Sequence, residues 1–240
     1  MGRTLGIIAD RVEAQSIPAV VVAHEELGAH LTRLVLSSEE FASATTDPCD
    51  VTAFRVSRTE FRHYTPAVLD AAQRELTIIV HRHGSGLGEE LIASWSVGDD
   101  VTVCRWSSTK AFRWPDTEGP VVLLGDATVI SLAMAFAERA ETERRSTLLV
   151  LEVDAADVEA TQLLVPSAVV VAAAAAPGES LDTWLAGHRD QVTALGRPVA
   201  YLAGHGRSIQ RQRAFLREMC GLDRRQVRTQ PYWATGTSGL

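Results

Sequence analysis

The spacing of apolar side chains changes character midway along the chain. In the first half, short stretches at residues 20–22, 31–36, 51–56, 76–80 and 100–103 mix apolar with polar positions, and Gly, Asp, Ser and Pro lie between them. Alternation turns one face of a strand inward and the other to solvent, and strands recurring at this spacing predict an antiparallel barrel or sandwich. Beyond residues 114–120, Trp-Pro-Asp-Thr-Glu-Gly-Pro, the apolar runs become continuous at 121–124, 148–151, 168–171 and 199–202. A strand that is apolar on both faces belongs to a sheet covered on both sides.

Helical signals fall between those runs. Gly125, Asp126, Ala127 and Thr128 turn into a stretch whose apolar positions Val129, Leu132, Ala133, Phe136, Ala137 and Ala140 repeat at three, four and seven. Residues 180–195 and 208–220 read as further helices. The expected organisation is an antiparallel β-barrel over residues 1–117, then a parallel-sheet α/β domain over 118–240. Two domains suit a length of 240 residues.

Composition narrows the function classes. With 46% hydrophobic and 22% charged residues, the chain can bury a core and is not disordered. Thirty acidic against 23 basic residues leave a net charge of −7, and no segment gathers the cations that nucleic acid requires. Cys49, Cys104 and Cys220 are odd in number and widely spaced, which argues against a disulfide framework and fits a reducing cytoplasm. The amino terminus has no leader pattern, and the longest apolar run, 168–176, is about half a bilayer span, so neither export nor a membrane location is expected.

The chemistry most open to a reading is the tetrapeptide Arg62-His63-Tyr64-Thr65, preceded by Arg55 and Arg58. A guanidinium forks onto a pyrophosphate, a phenol ring lies along a flat heterocycle, and a threonine hydroxyl reaches a ring nitrogen. A half-exposed strand with no ligand carries the same residues. His81 and His83 share a strand face but lack a third metal ligand at suitable spacing. Gly204-His205-Gly206 fits a phosphate turn as well as an ordinary turn after a parallel strand. Ser107, Ser108 and Ser131 lack the setting of a hydrolase nucleophile, and the arginines at 211, 213, 217, 224 and 225 read as a solvated helix face.

The order of the pieces carries more than any one of them. Arg62-His63-Tyr64-Thr65, then the turn His83-Gly84-Ser85-Gly86-Leu87-Gly88, Val97-Gly98-Asp99, Leu124-Gly125-Asp126-Ala127-Thr128 and the terminal Tyr232-Trp233-Ala234-Thr235-Gly236 together resemble the siderophore-interacting protein family, FAD-dependent ferric-siderophore reductases of the ferredoxin-reductase superfamily. The resemblance runs over roughly residues 18–236. It implies that the antiparallel β-barrel is of FAD-binding type and the α/β domain nucleotide-binding-like, approached by NADH or NADPH, with hydride transfer through the flavin to an iron chelate. By position it implies that Arg62 holds FAD phosphate, Tyr64 packs on the flavin or ribityl chain, and Thr65 bonds the isoalloxazine. The turn carrying His83, Gly84, Gly86 and Gly88 faces the pyrophosphate. Gly125, Asp126, Thr128 and Gly204 lie at the nucleotide edge of the sheet, and Trp233 lies with Tyr64, Thr65 and Asp126 along the cleft between domains.

The chain departs from the family's RxYTxR, GPAS, DETALPA, GE and YWRxG patterns at Ala67, Glu89, Ala127, Ser131, His205 and Ala234. Glu89 is the most consequential. A carboxylate about 4 Å from a phosphate oxygen costs on the order of 4 kcal/mol at an effective dielectric near 20. A second reading is therefore a relative repurposed for a flavin-independent, non-redox step such as a cyclisation in small-molecule biosynthesis, with Tyr64, Thr65 or Trp233 lining the site. A third is a binding protein without catalysis. In each the partner is a small molecule, an iron chelate or a biosynthetic intermediate.

Overall fold

The structure is a computed structural model that describes residue 13, residues 15–84 and residues 86–236. The chain divides into two compact units, Met1–Thr109 and Lys110–Leu240.

Among its described residues the first unit has seven strands, β1 (Ile17–Glu26), β2 (Leu31–Ser37), β3 (Thr52–Arg55), β4 (Phe61–Tyr64), β5 (Val68–Asp70), β6 (Glu75–His81) and β7 (Asp100–Val103), with helix α1 (Leu87–Ala93) before the last. Five of them form an antiparallel sheet in the order β5-β6-β2-β1-β7, and β3 and β4 form a separate antiparallel ribbon. The ribbon is tied to the chain leaving β7. Cys104 N donates to Ala53 O at 3.1 Å, and residues Val51 and Ser107 form an isolated bridge. Along β1 the side chains of Ile17, Ala19 and Val21 are buried while those between them are exposed, which is the alternation the sequence predicts. They pack on Leu34 and Leu36 of β2, Ile78 of β6 and Val103 of β7.

The second unit is a five-stranded, wholly parallel sheet in the order β10-β9-β8-β11-β12, made of β8 (Val121–Asp126), β9 (Thr147–Val153), β10 (Val169–Ala172), β11 (Val199–His205) and β12 (Val227–Trp233). Helices α2 (Ile130–Thr142), α3 (Val158–Leu164), α4 (Glu179–Gly187), α5 (Arg189–Ala194) and α6 (Gly206–Glu218) connect the strands. Val121 to Leu124, each with 0% exposure, are the apolar centre of the sheet. The parallel α/β half and the antiparallel first half are thus as the pattern predicts. Residues 110–117, placed with the first domain by the sequence reading, belong to the second unit. Phe112 meets Tyr201 edge-on with 5.2 Å between centroids, Trp114 meets Phe136 at 4.9 Å, and Tyr201 Oη donates to Arg113 O.

Three elements differ from the sequence reading. The helix expected over 180–195 breaks at His188, whose ring stacks on Trp184 at 4.4 Å and 5° and whose N–H donates to Trp184 O. Helix α1 lies where a turn was expected, because its first two residues, Leu87 and Gly88, follow a glycine N-cap and give no apolar period. Strand β12 carries Arg228, Thr229, Gln230 and Pro231 and has little apolar character. It is an edge strand, where a proline costs no ladder bond on the open side. Among the described residues, no helix is long and apolar enough to cross a membrane.

Candidate functional site

In the first unit the ribbon and α1 bring two separated motifs together. Register across the ribbon sets Tyr64 opposite Thr52 and Arg62 opposite Phe54. Arg62 and Tyr64, two residues apart on one strand, face the start of α1. There Gly88 lies so close that a Cβ would fall 2.5 Å from Tyr64 Oη and 3.1 Å from Arg62 Cγ. Only glycine allows this approach without displacing the tyrosine. The Tyr64 ring packs on Phe54 at 5.3 Å, and Phe54 in turn meets Trp95 edge-on at 5.0 Å.

Burial is the main cause pushing the Tyr64 phenol up to about 12, opposed by the Arg62 charge and reinforced by that of Glu89. Tyr64 is therefore a neutral donor and acceptor throughout the ordinary pH range. The hydrogen bond of the Arg62 guanidinium among the described residues goes to Phe61 O at 3.0 Å, which leaves its other N–H groups for a ligand. Thr65 is buried. Ala67 is buried as well, at 2%, with its N–H donating to Thr77 O at 2.8 Å. An arginine introduced at that position has no room, so the family's second arginine cannot be restored by substitution alone.

The glycine-rich turn is the main departure from expectation. Gly84 and Gly86 have φ of +90° and +141°, and Ser85 between them lies outside the described residues. The backbone N–H groups of His83 and Gly84, expected to face a pyrophosphate, donate to the chain's own Glu89. His83 N lies 3.0 Å from Oε2, and Gly84 N lies 3.0 Å from Oε2 and 3.3 Å from Oε1. Glu89 is the third residue of α1, and its side chain turns back over the preceding loop much as the third-position carboxylate of a capping box does. It also borders a cavity of about 280 Å³ in this unit, with His24, Thr32, Arg82 and Ile92 on the wall.

In the second unit Gly125, Asp126, Thr128, Gly204 and Trp233 do gather at the carboxyl edge of the sheet, where open α/β folds place ligands. Asp126 Oδ1 accepts from the N–H and the hydroxyl of Thr128, at 3.0 and 2.5 Å, and Oδ2 accepts from His205 N and Trp233 Nε1, both at 2.8 Å. With four donors on two oxygens, the carboxylate ties β8, β11 and β12 together. Gly204, at φ +109°, has its missing Cβ 2.4 Å from Asp126 Oδ2, which explains the glycine.

Sequence reading names His205 only as part of a turn and as a departure from the family pattern, and misses the network around it. The residue is buried, its ring lies 4.6 Å from that of Trp233, and both nitrogens are engaged. Ser208 Oγ donates its one proton to Pro177 O at 2.6 Å, so at 2.9 Å it accepts from His205 Nδ1. Nδ1 then carries the proton, and Nε2 accepts from the Thr235 hydroxyl at 3.1 Å. Burial, first, lowers the His205 pKa. Asp126 raises it, Arg211 and Arg207 lower it, and Glu152 raises it. Glu152, also buried, takes N–H donation from Gly178 at 2.7 Å and Leu181 at 3.0 Å and so anchors the start of α4. Apart from His205–Ser208, three residues apart, these pairings join distant segments and no local sequence signal marks them.

A family model described as siderophore-interacting protein matches residues 119–236. No curated protein sequence matches. Among solved structures, a siderophore utilization protein from T. fusca is 23% identical, with 94% of this chain and 95% of that chain covered and a TM-score of 0.72. The siderophore-interacting protein SipS from Aeromonas hydrophila is 20% identical, covering 92% and 93%, at 0.68. A ferredoxin-NADP+ reductase from Plasmodium falciparum is 11% identical, covering 90% and 96%, at 0.71. At these identities the structural likeness is one of fold.

Proposed function

We propose that this chain, whose residues 119–236 match the model of the siderophore-interacting protein family, is an FAD-dependent oxidoreductase that draws on NADH or NADPH and reduces an iron chelate. The observation that carries the reading is the meeting of Arg62, Tyr64 and Gly88, two motifs more than twenty residues apart in sequence that converge in one unit. The residues fit a flavin nucleotide at those three positions. Glu89 is the exception.

Bound FAD supplies hydride acceptance from the nicotinamide and single-electron delivery to ferric iron. The chain's own residues bind and orient it. Arg62 offers its free guanidinium N–H groups to phosphate, a charge-assisted contact worth about 1.5–3 kcal/mol. Tyr64, neutral and held by Phe54, gives a flat wall for a ring or ribityl chain. Thr65 supplies a buried hydroxyl beside it. In the second unit, the carboxyl edge of the sheet, at Gly125 and Gly204, is where the nicotinamide nucleotide would lie.

The test is the purified protein titrated with FAD, followed by flavin fluorescence, and then assayed for NADH or NADPH oxidation with a ferric chelate. Saturable FAD binding that Arg62→Ala weakens at least tenfold is the expected result. A protein that ignores both FAD and nicotinamide, with every chelate tried, overturns the proposal.

A further inference from the structure

We propose that Glu89 is a built-in occupant of the anion-binding turn, so that the pyrophosphate of FAD enters only by displacing it and the flavin is an exchangeable ligand of this protein rather than a resident group. The inference rests on the reading of the site as a flavin site. Three observations carry it. The N–H groups of His83 and Gly84 are directed at one carboxylate, which makes three contacts of 3.0 to 3.3 Å with them. That carboxylate is only 19% exposed and has the His83 ring 3.9 Å away, so it is seated in the turn and not extended into solvent. Arg62 and Tyr64 pack against Gly88, the residue just before Glu89, so the carboxylate sits next in sequence to the place where the two candidate FAD contacts converge.

A carboxylate and a phosphate make the same demand on a pair of backbone N–H groups, acceptor oxygens bearing negative charge. Both cannot be held there, because like charges within hydrogen-bond reach of shared donors repel. The cavity of about 280 Å³ that Glu89 borders gives the displaced side chain room. Binding therefore exchanges one set of N–H contacts for another, and the net affinity is what remains from Arg62 and the ring contacts.

The experiment compares the full chain with Glu89→Gln, Glu89→Ser and Arg62→Ala, each verified as folded by circular dichroism, in FAD titrations read by fluorescence. The expected result is weak, reversible FAD binding by the unsubstituted protein, which loses its flavin on gel filtration. Glu89→Ser is expected to tighten binding at least tenfold, and Glu89→Gln by less because its amide oxygen still accepts from the turn. Wild-type and Glu89→Ser affinities within threefold of each other overturn the inference while leaving the flavin reading intact. If no variant binds FAD, the flavin reading fails, and inorganic pyrophosphate decides the remaining question. Its titration into Glu89→Ser is then expected to move the His83 and Gly84 amide resonances in a ¹H–¹⁵N spectrum where the unsubstituted protein shows no change. Equal responses in the two proteins overturn the inference.

Discussion

The indole N–H of Trp233 donates to Asp126 Oδ2 at 2.8 Å across 107 residues of chain. The same oxygen accepts from His205 N, so one carboxylate holds the last described strand to the first strand of the unit. Hydrogen bonds to a charged group contribute about 1.5–3 kcal/mol each and do not add when they share an acceptor. Trp233→Phe is expected to destabilise the protein by about 1.5–3 kcal/mol in urea unfolding, and Asp126→Ala by about 3–5 kcal/mol. The double variant should cost clearly less than the sum. Strict additivity would show that the pair is not coupled.

Gly204→Ala tests the approach beneath that carboxylate. The added Cβ meets Asp126 Oδ2 at 2.4 Å, and φ of +109° is strained for any L side chain. A loss of about 2–4 kcal/mol is expected in the same assay. Gly88→Ala meets the movable end of a tyrosine instead, so it should cost less stability and appear mainly as a changed Tyr64 environment in near-ultraviolet circular dichroism.

Tyr64 makes alkaline stability measurable residue by residue. Burial, the leading cause, pushes its phenol from the ordinary 10 up to about 12 in the folded chain. Between those values the unfolded chain loses its proton first, so the stability tied to Tyr64 is complete below pH 10 and lost as pH rises through 12. Tyr64→Phe should flatten the fall in stability over that interval. An unchanged slope would assign the alkaline loss to other groups.

At the acid end His205 acts in the opposite sense. Burial lowers its pKa below 6.5, so the unfolded chain takes up the proton first. The stability contributed by the neutral ring is present above pH 6.5 and is lost as pH falls through the folded value. In proton NMR the His205 ring should titrate below 6.5 and keep its Nδ1 proton bonded to Ser208. His205→Asn should lessen the loss of stability on acidification, and a normal titration at 6.5 would contradict the burial argument.

The fold is legible in the sequence wherever burial imposes a period. Val121 to Leu124 announce a doubly covered strand, and Ile17, Ala19 and Val21 fall inward in turn. Gly88 and Gly204 are visible as glycines in turns, but what each makes room for, Tyr64 in one case and Asp126 in the other, depends on contacts from elsewhere in the chain. Glu89 is legible as a charge at odds with a phosphate. That it folds back onto the N–H groups of residues 83 and 84 is a matter of side-chain geometry that no pattern of residue types encodes. The His205 network is the least legible, since Ser208, Pro177 and Thr235 come from three segments.

The position of β12 at the edge of the parallel sheet has a consequence for synthesis. Every described strand of the first unit has been made by residue 103, so that unit can close while the second is still emerging from the ribosome. The second unit begins with β8, the centre of its sheet, yet β11 keeps one bare edge until residues 227–233 arrive. Trp233 reaches Asp126 later still, as the final described strand is completed. Until β12 pairs with β11, the chain is a finished antiparallel unit joined to a sheet with an open, apolar-backed edge, the form most exposed to chaperones and to pairing with a neighbouring copy.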